Sequence, residues 1–383
     1  MKKNLVLFIL IITYCTASAC TSAIVSGKAS ADGRPLMWKH RDSDSERNKL
    51  VYFSKGKYNF IGVVNTQDNE NKEIWMGSNS AGFSIMNTMS YNLDTTGSNG
   101  KKDEEGLLMK AALAECATVS DFEKFLNNGK GKWGVTANFG VIDAKGGAAY
   151  FETSTVSFVK YDVNDPLVAP KGFLIRTNFS FSGQKDKGLG YIRYMTAENI
   201  FNLQYIKNDI SLDFILCDAD RCLQHGLLKN DLYAGQLPES DMTEQLIPFR
   251  DYIVRNSSVS SMIIQGVKPQ EDPALTTLWT VLGFQLTTLV TPVWVSGGIE
   301  LPNVTIAKGS DTSPVNKKAL ILKDKCFPVK FGNGQDYLNL TSVLNKKGTG
   351  IIQKLLPKET VIIKNTEALL SSCSLTGRQS CVG

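Results

Sequence analysis

Cys20 stands directly after Ala17-Ser18-Ala19, downstream of Lys2, Lys3 and the apolar stretch Leu5 to Ile12. A charged start, a short apolar run and a small-x-small triplet form the pattern of a secretory leader cut before the next residue. The apolar run is too short to span a bilayer. Cleavage would leave a chain of 364 residues (383 minus 19) beginning at Cys20. Its first residue would then carry both a thiol and a free α-amine. An α-amine has a pKa of about 7.7–8.0, so part of it is neutral near pH 7. It can take the thiol proton directly or through a water. A thiol without such help is only a few per cent thiolate at neutral pH.

Two other readings of Cys20 stand beside this one: a lipid attached to the thiol, giving a membrane-anchored binding protein with no catalysis, or a cysteine there by accident. Ala17 sits where lipid-attachment leaders usually carry Leu. A strand pattern begins at once after Cys20, where a lipoprotein would continue into a polar tether. Both features favour the nucleophile. The chain has only two histidines, His40 and His225. His40 shares a predicted strand face with Leu36 and Trp38 while Arg41 takes the other, which reads as a packed histidine rather than a base.

Composition narrows the partners. Lys and Arg number 42 against 37 Asp and Glu, with no long basic run, which speaks against nucleic acid. No apolar stretch after the leader is long enough for a membrane helix, so a location outside the cytoplasm, secreted or periplasmic, is expected. Seven cysteines follow the leader, an odd number in an oxidising compartment, so one thiol is expected to stay free. Cys373 and Cys381 are placed to close a terminal loop. Cys217, Cys222 and His225 offer only three candidate ligands, fewer than a structural zinc site takes. No metal or cofactor is expected, and the sequence leaves oligomeric state open.

The elements that must position these residues are mostly short strands between turns. Thr21 to Ser26 and Pro35 to Arg41 flank Ala31-Asp32-Gly33 as a hairpin. Glu73 to Met76 and Phe83 to Thr88 make a second, and Asn138 to Ile142 with Ala148 to Glu152 a third. Further strands are expected at Gly172 to Thr177, Ser260 to Gly266, Thr276 to Leu282 and Leu289 to Val295. Helical spacing marks Glu104 to Cys116, Ser120 to Asn127 and Gly190 to Leu203, with Ser120 and Glu123 as a capping box. Antiparallel strand groups separated by helices imply an α+β core with helices over packed sheets. Without repeats or long linkers, residues 20–383 are expected to form one domain, with a peripheral extension from about residue 303.

Cys20-Thr21, Gly27-Lys28-Ala29-Ser30, Asp32-Gly33-Arg34-Pro35-Leu36 and Lys39-His40-Arg41-Asp42 together resemble the opening of penicillin acyltransferase-like proteins, within the wider choloylglycine hydrolase superfamily of N-terminal-nucleophile (Ntn) hydrolases. The resemblance is strongest over Cys20 to Asp44 and thins after about Pro302. It implies a four-layer αββα sandwich and cleavage or transfer at linear amides of small molecules. Hydrolase, acyltransferase and dipeptidase share that chemistry, because all pass through an acyl-thioester on Cys20. The resemblance implies Cys20 as nucleophile and Arg41 and Asp44 as an Arg-x-x-Asp pair beside it. A guanidinium next to a thiol favours thiolate; a carboxylate near the α-amine holds it by a hydrogen bond. Asn178, in Thr177-Asn178, is implied as an oxyanion donor, Asn87 as a second polar site residue and Arg193 as a supporting arginine.

Overall fold

The computed structural model describes residues 19–96, 104–129, 133–308 and 311–376. Apart from Ala19, the leader lies outside them, and so does Cys381 of the suggested terminal loop. The main strands in chain order are β1 (Thr21–Val25), β2 (Leu36–Asp42), β3 (Asn48–Phe53), β4 (Phe60–Asn65), β5 (Met76–Asn79), β6 (Ser84–Met89), β7 (Ala137–Ile142), β8 (Ala148–Thr153), β9 (Phe158–Asp162), β10 (Phe173–Arg176), β11 (Ser258–Gln265), β12 (Thr277–Leu282) and β13 (Thr291–Val293). The longer helices are α1 (Glu105–Glu115), α2 (Val119–Asn128), α3 (Tyr191–Ile206), α4 (Pro314–Cys326) and α5 (Ile351–Thr376).

Two antiparallel sheets result. One runs β10-β1-β2-β11-β12-β13 and the other β3 to β9 in chain order. All five residues of β1 are buried, so both faces of its sheet are covered. Alternation along the strands explains how. Ile24, Met37, Met262 and Leu278 of the first sheet meet Ile61, Val63, Met86 and Tyr150 of the second in the layer between the sheets. The opposite face of the first sheet presents Trp38, Ile263 and Trp279 to Ala197 and Phe201 of α3 and Ile363 of α5. The outer face of the second presents Phe60, Ile85, Phe139 and Phe151 to Leu108 and Met109 of α1 and Phe122 of α2. The architecture is an αββα sandwich.

All three predicted hairpins are present, though the second begins at Met76 rather than Glu73 and the last predicted strand shortens to Thr291–Val293. The capping box of α2 is Thr118 with Asp121, two residues before the pair expected, because Thr118 rather than Ser120 has extended backbone. β3, β4 and β9 went unpredicted. β4 carries Gly62 in mid-strand, normally a strand-weakening residue; here a Cβ would collide with Cγ2 of Ile74. The segment after residue 303 is not wholly peripheral. Arg221 and Glu359, both fully buried, pair at 2.6 Å and tie α5 to the outer layer of the first sheet.

Candidate active site

β1 begins one residue after Cys20, in the interior of its sheet between β10 and β2. Pairing of Thr21 with His40 and of Ser22 with Lys39 sets the geometry. Cys20 lies two residues before Ser22, so its side chain shares the inner face with Lys39 and Arg41 of β2, and His40 takes the other face. Cys20 is 6% exposed.

The main chain of Cys20 is held on both sides. Its N–H donates to Oδ1 of Asn178 at 2.9 Å. Its carbonyl accepts from Nη1 of Arg193 at 2.5 Å, and Nη1 also reaches Thr21 Oγ1 at 2.9 Å. Nη2 of Arg193 donates to the same Asn178 Oδ1 at 2.7 Å. Arg193 lies in the first turn of α3, after Gly190 with φ of 83°, where a Cβ would collide with Arg193 Nη2. Glycine there lets the helix start close enough for the guanidinium to reach β1. Two donors converging on Oδ1 fix the sense of the Asn178 amide, and its Nδ2 donates to the Met89 carbonyl at 2.9 Å. Asn178 therefore faces the Cys20 nitrogen as an acceptor, whereas the resemblance implied an oxyanion donor.

On the inner face, two buried cations stand near the thiol. Arg41 donates to Oδ1 of Asn48 at 2.8 Å and of Asn65 at 2.9 Å, and its guanidinium lies 4.7 Å from the Trp75 ring centroid. Burial lowers its pKa to about 10, opposed by the neighbouring Cys20 and Asp42. Lys39 Nζ donates to the Trp75 carbonyl at 2.8 Å and to Oδ1 of Asn87, whose Nδ2 donates to Glu105 at the start of α1. Burial brings Lys39 down to about 8, against the opposing pull of Cys20 and Glu105. Asn87 thus joins the site through Lys39.

The two aspartates that follow Arg41 lie in different settings. β2 runs on to Asp42 and ends, so Asp44 falls in the following bend and is exposed. Asp42 is 1% exposed; its carbonyl oxygen is 4.0 Å from Cys20 Sγ. Its carboxylate accepts from Ser258 Oγ at 2.7 Å and from Nε of Arg255 at 3.1 Å, and Nη2 of Arg255 bonds both that carboxylate and the Ala19 carbonyl, the latter at 3.0 Å. The basic-x-x-acidic spacing recurs two residues earlier as Lys39-His40-Arg41-Asp42, and a shift of two along a strand keeps each side chain on the same face. That repeated spacing was the sequence signal for Lys39 and Asp42. Nothing comparable marks Arg255, which arrives from the turn before β11. His40 is fully buried on the outer face, with Nδ1 3.8 Å from Asp42 Oδ1, and burial lowers its pKa.

Where the odd cysteine count predicted one free thiol, Cys116, Cys217, Cys222 and Cys326 are free as well as Cys20. Burial pushes these four up to about 12. His225 packs edge-on against Tyr252, and among the described residues no three His, Cys, Asp or Glu side chains gather as a metal site would.

No protein-family model matches the chain, and no curated protein matches it in sequence. Solved structures with a similar chain path include the Caenorhabditis elegans ortholog of N-acylethanolamine-hydrolyzing acid amidase, 16% identical, covering 67% of this chain and 95% of that one with a TM-score of 0.41. A single-residue variant of conjugated bile acid hydrolase from Clostridium perfringens is 13% identical over 72% of this chain and 92% of that one, TM-score 0.38. Penicillin V acylase from Agrobacterium tumefaciens is 12% identical over 72% of this chain and 86% of that one, TM-score 0.38. At such identities the likeness is one of chain path, and the chemistry has to be argued from the site itself.

Proposed function

We propose that the protein is a cysteine amidohydrolase whose nucleophile is the Cys20 thiol and whose base is the α-amine freed by removal of Ala19. The observation that carries this reading is the double anchoring of Cys20: its nitrogen on Asn178 Oδ1, its carbonyl on Arg193, with Lys39 and Arg41 on the face its side chain shares. An amine that spends one N–H on Asn178 keeps its lone pair for the thiol proton.

The steps then follow. The amine takes the proton from Sγ, and the thiolate attacks the carbonyl carbon of a small linear amide. The positive field of Lys39 and Arg41 favours the thiolate and then the oxyanion, since charge fixed in a water-poor site acts strongly on charge that develops there. The C–N bond breaks as the ammonium returns its proton to the leaving amine. Water, deprotonated by the same amine, attacks the acyl-thioester and releases the acid with Cys20 restored. Asp42, neutralised by Arg255 and Ser258, holds the end of β2 beside the thiol. Delivery of the acyl group to a second amine in place of water would make the same site an acyltransferase, and cleavage of a dipeptide would use the same steps. The leader fits action outside the cytoplasm.

The test is to offer protein beginning at Cys20 to bile-salt conjugates, penicillins, N-acyl amino acids and dipeptides, with acid quench and peptide mass spectrometry. An acyl adduct on Cys20 with one of these classes is the expected result. A diacylglycerol already on Cys20 in the protein isolated from its natural source would sink the reading, since it removes the nucleophile.

A further inference from the structure

We propose that Asn138 is a positioning residue for Asn178, acting across the two sheets. The inference rests on the reading that Asn178 holds the Cys20 nitrogen. Asn178 lies just past the end of β10, and its ladder there is a single bridge to Leu189. The strand therefore does little to fix the peptide planes on either side of it.

Asn138 does so from the opposite sheet. It sits on β7, fully buried, and its Nδ2 lies within donating distance of the carbonyls of Thr177 at 3.3 Å and Phe179 at 3.2 Å, as well as Thr88 Oγ1 at 3.0 Å. Those two carbonyls flank Asn178. Ser180 Oγ donates to Asn138 Oδ1 at 2.5 Å, which fixes the sense of the amide and keeps Nδ2 toward the carbonyls. Asn92 grips the next residue, accepting from Ser180 N at 2.7 Å and donating to its carbonyl at 2.9 Å. Tyr91 N donates to the Asn178 carbonyl at 3.3 Å.

Residues 177–180 are thus hung from the second sheet, while Cys20 belongs to the first. The contact between Cys20 N and Asn178 Oδ1 depends on how the sheets are registered, and Asn138 is the strut that sets it. A buried amide is worth keeping only when its hydrogen bonds are made. Of the four side-chain hydrogen bonds of Asn138, three go to Thr177, Phe179 and Ser180 around Asn178, and the fourth to Thr88.

The experiment is a double-mutant cycle in protein beginning at Cys20, using whichever amide the activity screen identifies. Asn138→Ser, too short to reach the carbonyls, should lower kcat/KM by about 10- to 100-fold, the scale expected when a catalytic group is misplaced by around an ångström. Cys20 should still be alkylated by iodoacetamide while the buried thiols of Cys116, Cys222 and Cys326 stay protected, which separates misplacement from unfolding. In the Asn178→Ala background Asn138→Ser should cost nothing further, because coupled residues do not add. Ser180→Ala, a milder change to the same strut, should show the same non-additivity if Asn138→Ser folds poorly. Fully additive losses would overturn the proposal and leave the role of Asn178 standing. Wild-type turnover by Asn178→Ala would instead remove the α-amine contact on which both readings rest.

Discussion

Lys39 and Asp42 stand three residues apart on one strand and serve Cys20 from opposite faces of the sheet. Lys39 shares the inner face with the thiol; Asp42 brings its main-chain oxygen to 4.0 Å from Sγ and turns its carboxylate outward to Arg255 and Ser258. The thiol is thereby flanked by a buried cation and by a strand end that the Asp42–Arg255 ion pair holds in place.

Cys20→Ala should abolish turnover, by about 10⁴-fold or more. Its circular dichroism and melting temperature should stay close to wild type, because the side chain removed is small. Residual turnover within tenfold of wild type from a folded Cys20→Ala protein would place the nucleophile elsewhere.

Lys39 gives the pH dependence a direction. Its charged form supports the thiolate, and that charge is lost as pH rises through about 8. The alkaline limb of kcat/KM should therefore fall near there. Lys39→Arg should carry activity to higher pH, and Lys39→Met should be weak throughout. The same depressed pKa acts on stability with the opposite slope. The unfolded chain holds the lysine proton up to about 10.4, so the native state becomes relatively more stable between about 8 and 10.4. Denaturant titration of wild type against Lys39→Met across that window reads the term directly.

Asp42 and Asp44 should separate cleanly. Asp44→Ala, at an exposed bend, should leave kcat/KM within about twofold and stability within about 0.5 kcal/mol. Asp42→Ala leaves Arg255 without its carboxylate and should cost about 3 kcal/mol, together with most activity. Equal loss from both substitutions would restore the Arg41-x-x-Asp44 assignment.

Removal of the leader should be the switch. Protein beginning at Cys20 should turn over substrate; the same chain extended by Gly-Ser should not, because an amide nitrogen is no base near neutral pH. Full activity from the extended chain, its N-terminus verified by mass spectrometry, would mean that another base serves Cys20. Lys39 would be the nearest candidate, since His40 takes the outer face.

The sequence shows its strands where apolar residues crowd between turn signals. β1, β2, β7 and β8 were readable for that reason, whereas β3 opens with Asn48-Lys49 and β4 is broken by Gly62. The candidate site was legible where it is local. The triplet before Cys20 singled it out, and the resemblance singled out Asn178 and Arg193, which the structure brings together at its main chain. What sequence alone left open is decided at a distance. That Asp42 is buried and Asp44 exposed depends on where β2 ends. Arg255, Glu105 and Asn138 join through contacts across 213, 18 and 42 residues, to Asp42, Asn87 and Ser180 respectively. No local pattern records such pairings.

The interior position of β1 has a consequence for synthesis. Its neighbours are β2 on one side and β10 on the other, and β2 must wait for β11. Asn178 and Arg193 reach Cys20, and Arg255 the Ala19 carbonyl just before it, only when some two-thirds of the 383 residues have emerged. A chain still being made therefore carries Cys20 without these contacts. On the proposed reading of Cys20 as nucleophile, reactivity is delayed until the body of the protein has closed around it.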